Sequence, residues 1–308
     1  MTPGQAHALR ESMAPFPNGV TGNPLYRQYL DLYGLDFGAR YPGLDCRAGL
    51  VPSGSYRLMT HCWRLPDARA NLLLVHGYFD HTGIYDKVID YGLSRRCNVL
   101  MFDLPGHGLS SGERAAIDDF RDYGEAIASV LAAVALPPLP LYVIGQSTGC
   151  AALMDFSRQH KWPFERAVFM APLVRPAGWL GVRLGHSLLS PFTETLQRKF
   201  NANSSDTDFL QFVRRDPLQC HRVSLRWIGA LKRWLADLPL ADLGVGPVLV
   251  LQGDRDGTVG WRYNMTAIAK LFPGSRIEYL QGAGHQLANE SAEIRSRYAA
   301  CIDAWLFG

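Results

Sequence analysis

Short apolar runs, punctuated by Gly, Pro and Asn, recur along this chain and predict a series of buried strands. They fall at residues 55–64, 71–75, 98–102, 139–144, 167–170, 247–252 and 276–280. Most are apolar at nearly every position, as in strands covered on both faces. Between them lie longer stretches with helical spacing. Residues 117–136 form one, ended by Pro137-Pro138; residues 150–160, free of Pro and Gly, form another. A helical stretch around 266–271 leads to a turn at Pro273-Gly274, and 290–307 closes the chain with Ile294, Tyr298, Cys301, Ile302 and Trp305 on one face. Near the start, Asn23-Pro24 opens a short helix that Gly34 can end, with Leu25, Tyr26, Tyr29 and Leu30 set to pack on the main body. The rest of residues 1–43 is rich in Pro and Gly and predicts an arm wrapped over the surface. Alternating β and α with right-handed crossovers gives a mostly parallel central sheet with helices on both faces.

Residues 173–246 break this rhythm. About seventy residues separate two sheet strands where a βα connection needs far fewer. The segment has helical character, notably at 222–238, and carries Trp179, Phe192, Phe200, Phe209, Phe212, Trp227 and Trp234. It predicts a helical cap over the strand ends, inserted into a core made of residues 1–172 and 247–308. The cap holds ten Lys or Arg against six Asp or Glu, so the net charge of +3 resides there. That total is too small to suggest a nucleic-acid partner. No apolar stretch reaches the ~18 residues of a membrane span. Residues 1–22 lack the basic and apolar segments of a signal peptide. The six cysteines form no Cys-x-x-Cys pair and read as buried thiols in a reducing cytoplasm.

The chemistry centres on Gly145-Gln146-Ser147-Thr148-Gly149. An apolar run precedes it and a helix follows, the context of a nucleophile elbow, in which Ser147 stands exposed at a helix head. Such a serine needs a base and an acid from elsewhere. Downstream, the strand at 247–252 ends in Gly253-Asp254-Arg255-Asp256, and the strand at 276–280 leads into Gly282-Ala283-Gly284-His285. Neighbouring parallel strands bring both loops to the edge that carries Ser147. His285 is the expected general base. Asp256 is the expected orienting acid, because the acid of such loops commonly lies three residues past the glycine that closes the strand. Asp254 is its rival, or else supports the loop through backbone N–H groups. Oxyanion donors are expected from the main chain of Thr148 and of Tyr78, in the loop after the strand at 71–75. His76 and His107, in Gly-containing turns, read as structural. The run 103–111 resembles a dinucleotide loop only loosely: Ser111 fills the next glycine position and Pro105 suits it badly. No cofactor or metal motif is present.

Several segments resemble the monoacylglycerol lipases and bacterial lysophospholipases of the α/β-hydrolase superfamily, a serine aminopeptidase-like group. They are His76-Gly77-Tyr78-Phe79-Asp80-His81 with Tyr85, Phe102-Asp103-Leu104-Pro105-Gly106-His107-Gly108-Leu109-Ser110, Asp216-Pro217-Leu218, and Gly-Ala-Gly-His at 282–285. The resemblance implies a serine hydrolase of acyl esters, often single-chain lipids, with Ser147, Asp256 and His285 as triad and Tyr78 and Thr148 as oxyanion donors. The elbow departs from the His-Ser-Met of many members, with Gln146-Ser147-Thr148 instead. The expected substrate is a monoacylglycerol or lysophospholipid, its acyl chain lying along bulky cap residues such as Trp179, Leu180, Leu188, Leu189 and Phe192. The cap's basic excess would meet phosphate headgroups and touch membrane surfaces transiently. An aminopeptidase or amidase is a second reading and would want a cap carboxylate such as Glu194 or Asp208 for the substrate amine. A catalytically silent binding protein on the same fold is a third.

Overall fold

The computed structural model describes residues 1–19 and 22–308. Two helices come first, α1 (Pro3–Ser12) and α2 (Pro24–Tyr33). Asn23 caps α2 by accepting from the N–H groups of Leu25 (3.0 Å) and Tyr26 (3.3 Å), and Gly34 ends it in the left-handed region. The arm does more than cover the surface. Tyr26, Tyr29 and Tyr33 are buried, and Tyr26 and Tyr29 stack on His61.

The hairpin β1 (Asp45–Ser53) and β2 (Tyr56–Arg64) follows. Next come β3 (Ala70–Val75), α3 (Asp86–Ser94), β4 (Cys97–Phe102), α4 (Arg121–Ala133), β5 (Leu141–Gln146), α5 (Thr148–Gln159) and β6 (Arg166–Met170). An insertion then holds α6 (Trp179–Leu189), β7 (Thr195–Gln197), α7 (Thr207–Val213), β8 (Arg222–Ser224) and α8 (Leu225–Asp237). The chain ends with β9 (Leu249–Gly253), α9 (Trp261–Leu271), β10 (Arg276–Leu280) and α10 (Ala292–Phe307). Three expectations need correction. The helix placed at 117–136 is shorter, because Ile117 and Phe120 are buried in the loop before it. The helix placed at 222–238 begins with three strand residues. These pair with β7, so the insertion contains a small antiparallel hairpin as well as helices.

The large sheet runs β1-β2-β4-β3-β5-β6-β9-β10. In that order the six strands from β4 to β10 are parallel, β2 runs against them, and β1 at the edge is antiparallel to β2. The chain passes from β3 to β4 on one side and then to β5 on the other. The gap beyond the ends of β3 and β5 is therefore a topological switch point, where open α/β sheets bind ligands. Strand side chains alternate between two cores: Leu72 and Leu74 face one with α3 and α10, Leu73 and Val75 the other with α4, α5 and α9. This is the mostly parallel, two-sided α/β architecture that the sequence predicts.

The insertion is tied down at several points. Asp216 accepts from Tyr33 Oη (2.5 Å) and from His81 Nε2 (2.7 Å), all three side chains being buried. The Gly83 N–H donates to His81 Nδ1, so the ring carries its proton on Nε2 and donates it to Asp216. Trp227 Nε1 donates to Tyr123 Oη at 3.2 Å, and Arg226 pairs with Asp118 and Glu113. By contrast α6 buries no residue, and Leu180, Leu184 and Leu188 form an exposed stripe beside Phe192. The six cysteines are unpaired. Cys62, Cys97 and Cys150 are buried as expected, but Cys46 is exposed and Cys220 and Cys301 lie between.

Candidate active site

Ser147 caps α5 directly after β5, with φ 52° and ψ −112°. A non-glycine residue there costs roughly 1–3 kcal/mol and persists only where its surroundings enforce it. Here the enforcement is close packing. A Cβ on Gly149 would lie 2.1 Å from the Val75 carbonyl oxygen, so only glycine lets α5 approach β3 so closely. The turn aims Ser147 Oγ at His285 Nε2, 2.9 Å away. His285 Nδ1 donates to Asp256 Oδ2 at 2.7 Å. The second ring nitrogen is thus free to accept the Ser147 proton.

Asp256 is fixed on every side. Its Oδ1 accepts from the N–H groups of Thr258 (2.8 Å) and Val259 (3.1 Å), and Gln252 Nε2 donates to Oδ2 at 3.1 Å. Burial works to raise its pKa, but His285 and the two backbone N–H groups outweigh burial and hold the carboxyl below its usual range. For His285, burial works to lower the pKa; Asp256 outweighs it and carries the ring above its ordinary value. Asp254 is exposed, and its Oδ1 accepts from the Gly282 N–H at 2.8 Å. It braces the loop that precedes His285 and does not reach the ring.

Tyr78 and Thr148 line the same cavity as Ser147. Among the described residues their backbone N–H groups make no hydrogen bond. The Tyr78 side chain is pinned: its hydroxyl donates to the Ala115 carbonyl (2.7 Å), and its ring stacks 4.0 Å from Trp227 of α8. Phe79, next in the loop, is a second strained residue at φ 69°. A chain of polar contacts runs behind His285. Gln146 Oε1 accepts from the Ala288 N–H (2.9 Å), Gln146 Nε2 donates to Gln286 Oε1, and Gln286 Nε2 donates to Asp80 Oδ1 (2.5 Å). The departure at Gln146 from the His-Ser-Met pattern thereby becomes a brace between the elbow and the histidine loop. His76 bonds to the Gly77 carbonyl through Nδ1 and accepts from the Leu104 N–H at Nε2, while His107 Nδ1 bonds to the Pro105 carbonyl.

The cavity measures about 290 Å³, and its walls come largely from the insertion. Val182, Phe200, Phe209, Val213, Trp227, Ile228 and Leu231 supply the apolar lining. Trp179, Leu180, Leu188, Leu189 and Phe192, expected along an acyl tunnel, do not line it. Four of them are exposed, because α6 turns that face away from the sheet. Glu194 and Asp208 do not line it either; Asp208 belongs to a separate groove beside Lys87. Asp80, Gln286 and Arg198 carry no site signal in the sequence, since the contacts that bring them to the site form only when distant loops meet. Among the described residues no group of three His, Cys, Asp or Glu could hold a metal ion. Nor is any helix long and apolar enough to cross a membrane.

Known proteins resemble this chain over most of its length. The family model described as serine aminopeptidase, S33 matches residues 66–292. The monoglyceride lipase of Homo sapiens is 24% identical over 279 residues, covering 83% of this chain and 89% of the relative. The pimeloyl-[acyl-carrier protein] methyl ester esterase of Nitrosomonas europaea is 31% identical over 259 residues, covering 76% and 94%. The crystal structure of Paleococcus ferrophilus monoacylglycerol lipase superposes with a TM-score of 0.69 at 22% identity, covering 81% of this chain and 98% of that one, a likeness of fold. Since the family model spans well over half of the chain, this protein belongs to the serine aminopeptidase S33 family of the α/β-hydrolase superfamily.

Proposed function

We propose that this protein is a serine hydrolase that cleaves carboxylic esters through an acyl-enzyme at Ser147, with a monoacylglycerol or lysophospholipid as substrate. The observation that carries this reading is the continuous hydrogen-bonded chain Ser147–His285–Asp256, with Ser147 and His285 lining a largely apolar cavity. Ser147 Oγ attacks the ester carbonyl while His285 Nε2 takes its proton. The N–H groups of Tyr78 and Thr148 receive the negative charge on the carbonyl oxygen. His285 then gives the proton to the departing alcohol, and water repeats the sequence to release the acid. Asp256 holds the ring and stabilises its charged form. The insertion acts as a cap that selects the acyl group, and the exposed leucines of α6 suit transient contact with a lipid surface.

The geometry favours ester over peptide substrates. An aminopeptidase needs a carboxylate for the substrate amine, and Asp80, the one carboxylate in the lining, is already engaged by Gln286, Tyr85 and the Gly77 N–H. Ser147→Ala tests the proposal. The variant should lose both hydrolysis of a lauroyl ester and labelling by a fluorophosphonate, with an unchanged melting temperature. Labelling at another serine, or full activity in the variant, would overturn it. An unlabelled wild type would instead favour a silent binding protein.

A further inference from the structure

Arg198, in the insertion just after β7, presents a charge to the cavity that cleavage of a neutral lipid does not use. Its guanidinium carbon lies 4.0 Å from the Phe79 ring centroid and 4.4 Å from that of Phe200, so two aromatic rings hold it. Nη1 donates to Gln219 Oε1 (2.7 Å) and to the Cys220 carbonyl (3.1 Å). Among the described residues no carboxylate oxygen comes within 4.0 Å of it. The carboxylates nearest in effect are committed elsewhere. Asp80 is engaged as described above, and Asp216 accepts from Tyr33, His81 and the Leu218 N–H. Burial lowers the Arg198 pKa and Asp80 opposes it from a distance, yet a guanidinium stays charged at neutral pH. Lys199 and Arg214 line the same cavity, against Asp80 as its single carboxylate.

Arg198 is half-buried, and a charge partly withdrawn from water without a counter-ion is costly. Placing one in the cavity that Ser147 lines leaves room for the counter-ion to arrive with the substrate. The strained Phe79 backbone fits this account, since it sets in one loop both the ring under Arg198 and the neighbouring oxyanion donor. We propose that Arg198 is the anion-binding element of a subsite within the Ser147 cavity, and that the preferred substrate is an acyl ester carrying a phosphate or carboxylate. The planar guanidinium fork matches either group. A phosphate would lie on the alcohol side of the ester, a carboxylate at the far end of the acyl chain. The inference rests on the ester-hydrolase reading for its chemistry, but its binding part can be tested apart from it.

Binding is measured first, by calorimetry on the Ser147→Ala protein with dodecyl phosphate and with the neutral 1-O-dodecylglycerol. The phosphate should bind about tenfold to a hundredfold more tightly, and Arg198→Gln added to Ser147→Ala should erase the difference. Kinetics then uses two matched pairs on otherwise unaltered protein. One is 1-lauroylglycerol beside its 3-phosphate; the other is methyl dodecanoate beside the monomethyl ester of dodecanedioic acid. The ratio of kcat/KM, charged over neutral, should fall about tenfold to a hundredfold in Arg198→Gln, mainly through KM, with part retained in Arg198→Lys. The pair that shows the fall identifies the source of the anion. Equal losses on charged and neutral substrates would make Arg198 a staple for the 219–220 loop and overturn the proposal, as would a wild type indifferent to charge in both pairs. If Arg198→Gln fails to fold, the ratio in Arg198→Lys decides. Tight dodecyl phosphate binding without cleavage of any ester would leave the subsite standing and remove the ester reading.

Discussion

Asp254 and Asp256 stand two positions apart, and their surroundings give them different work. The first is exposed and holds Gly282; the second is buried and holds His285. Asp256→Asn should therefore lower kcat by about 10⁴, as loss of the orienting carboxylate does in such triads, while Asp254→Asn should cost far less. Measured rates in the reverse order would reassign the acid. The pH profile gives a second readout. His285 accepts a proton only when neutral, and its pKa is raised by Asp256, so kcat/KM should fall as pH drops through a value above 6.5. In Asp256→Asn that limb should move to lower pH. Both aspartates were legible in the sequence because a strand, a glycine and an acid lie within one short segment. Arg198 and the Gln146–Gln286 brace were not, since each joins segments far apart in the chain and has no local signature.

At the scale of elements, the buried strands were readable because their apolar runs need no partner to be recognised. The elements that escaped notice were those whose reason for forming lies elsewhere. Helix α1 is mostly polar and buries only Ala6 and Leu9. Strand β1 contains Gly49 and Pro52 and is held at the sheet edge by its pairing with β2. The three-residue strands β7 and β8 exist only as a pair. The join between arm, oxyanion loop and insertion is a similar non-local product, built from Tyr33, His81 and Asp216. Removing the carboxylate leaves three buried donors, Tyr33 Oη, His81 Nε2 and the Leu218 N–H, without their acceptor. Asp216→Ala should destabilise the protein by about 3–5 kcal/mol, and Tyr33→Phe by about 1 kcal/mol. Urea unfolding followed by fluorescence measures both. Near-equal small effects would show that the join carries little of the stability.

In the whole molecule, Tyr78, Ser147, Asp256 and His285 come from four separate loops that only the sheet brings together. The apolar wall of the cavity comes instead from the insertion. If that wall holds an acyl chain, kcat/KM should rise up to about fourfold per added CH₂, until the cavity is filled. Ile228→Asp should flatten the rise. A wild type that prefers acetate and declines with length would remove the lipid reading. The insertion leaves from β6 and returns at β9, and these strands are hydrogen-bonded neighbours, with Met170 opposite Leu251. Because the two strands are parallel, the insertion leaves at one edge of the sheet and crosses back to the other before β9 begins, with Trp227, Leu231 and Trp234 of α8 packed on the core. Lengthening a flexible connection between fixed anchors costs only about 0.6 kcal/mol for each doubling of its length. A segment of quite different size and sequence would fit the same two anchors, provided it made the same crossing and brought its own fastening to His81. If Ser147 is the nucleophile, a chain of this design could exchange the wall that meets the substrate and leave the sheet-borne groups that cut it in place.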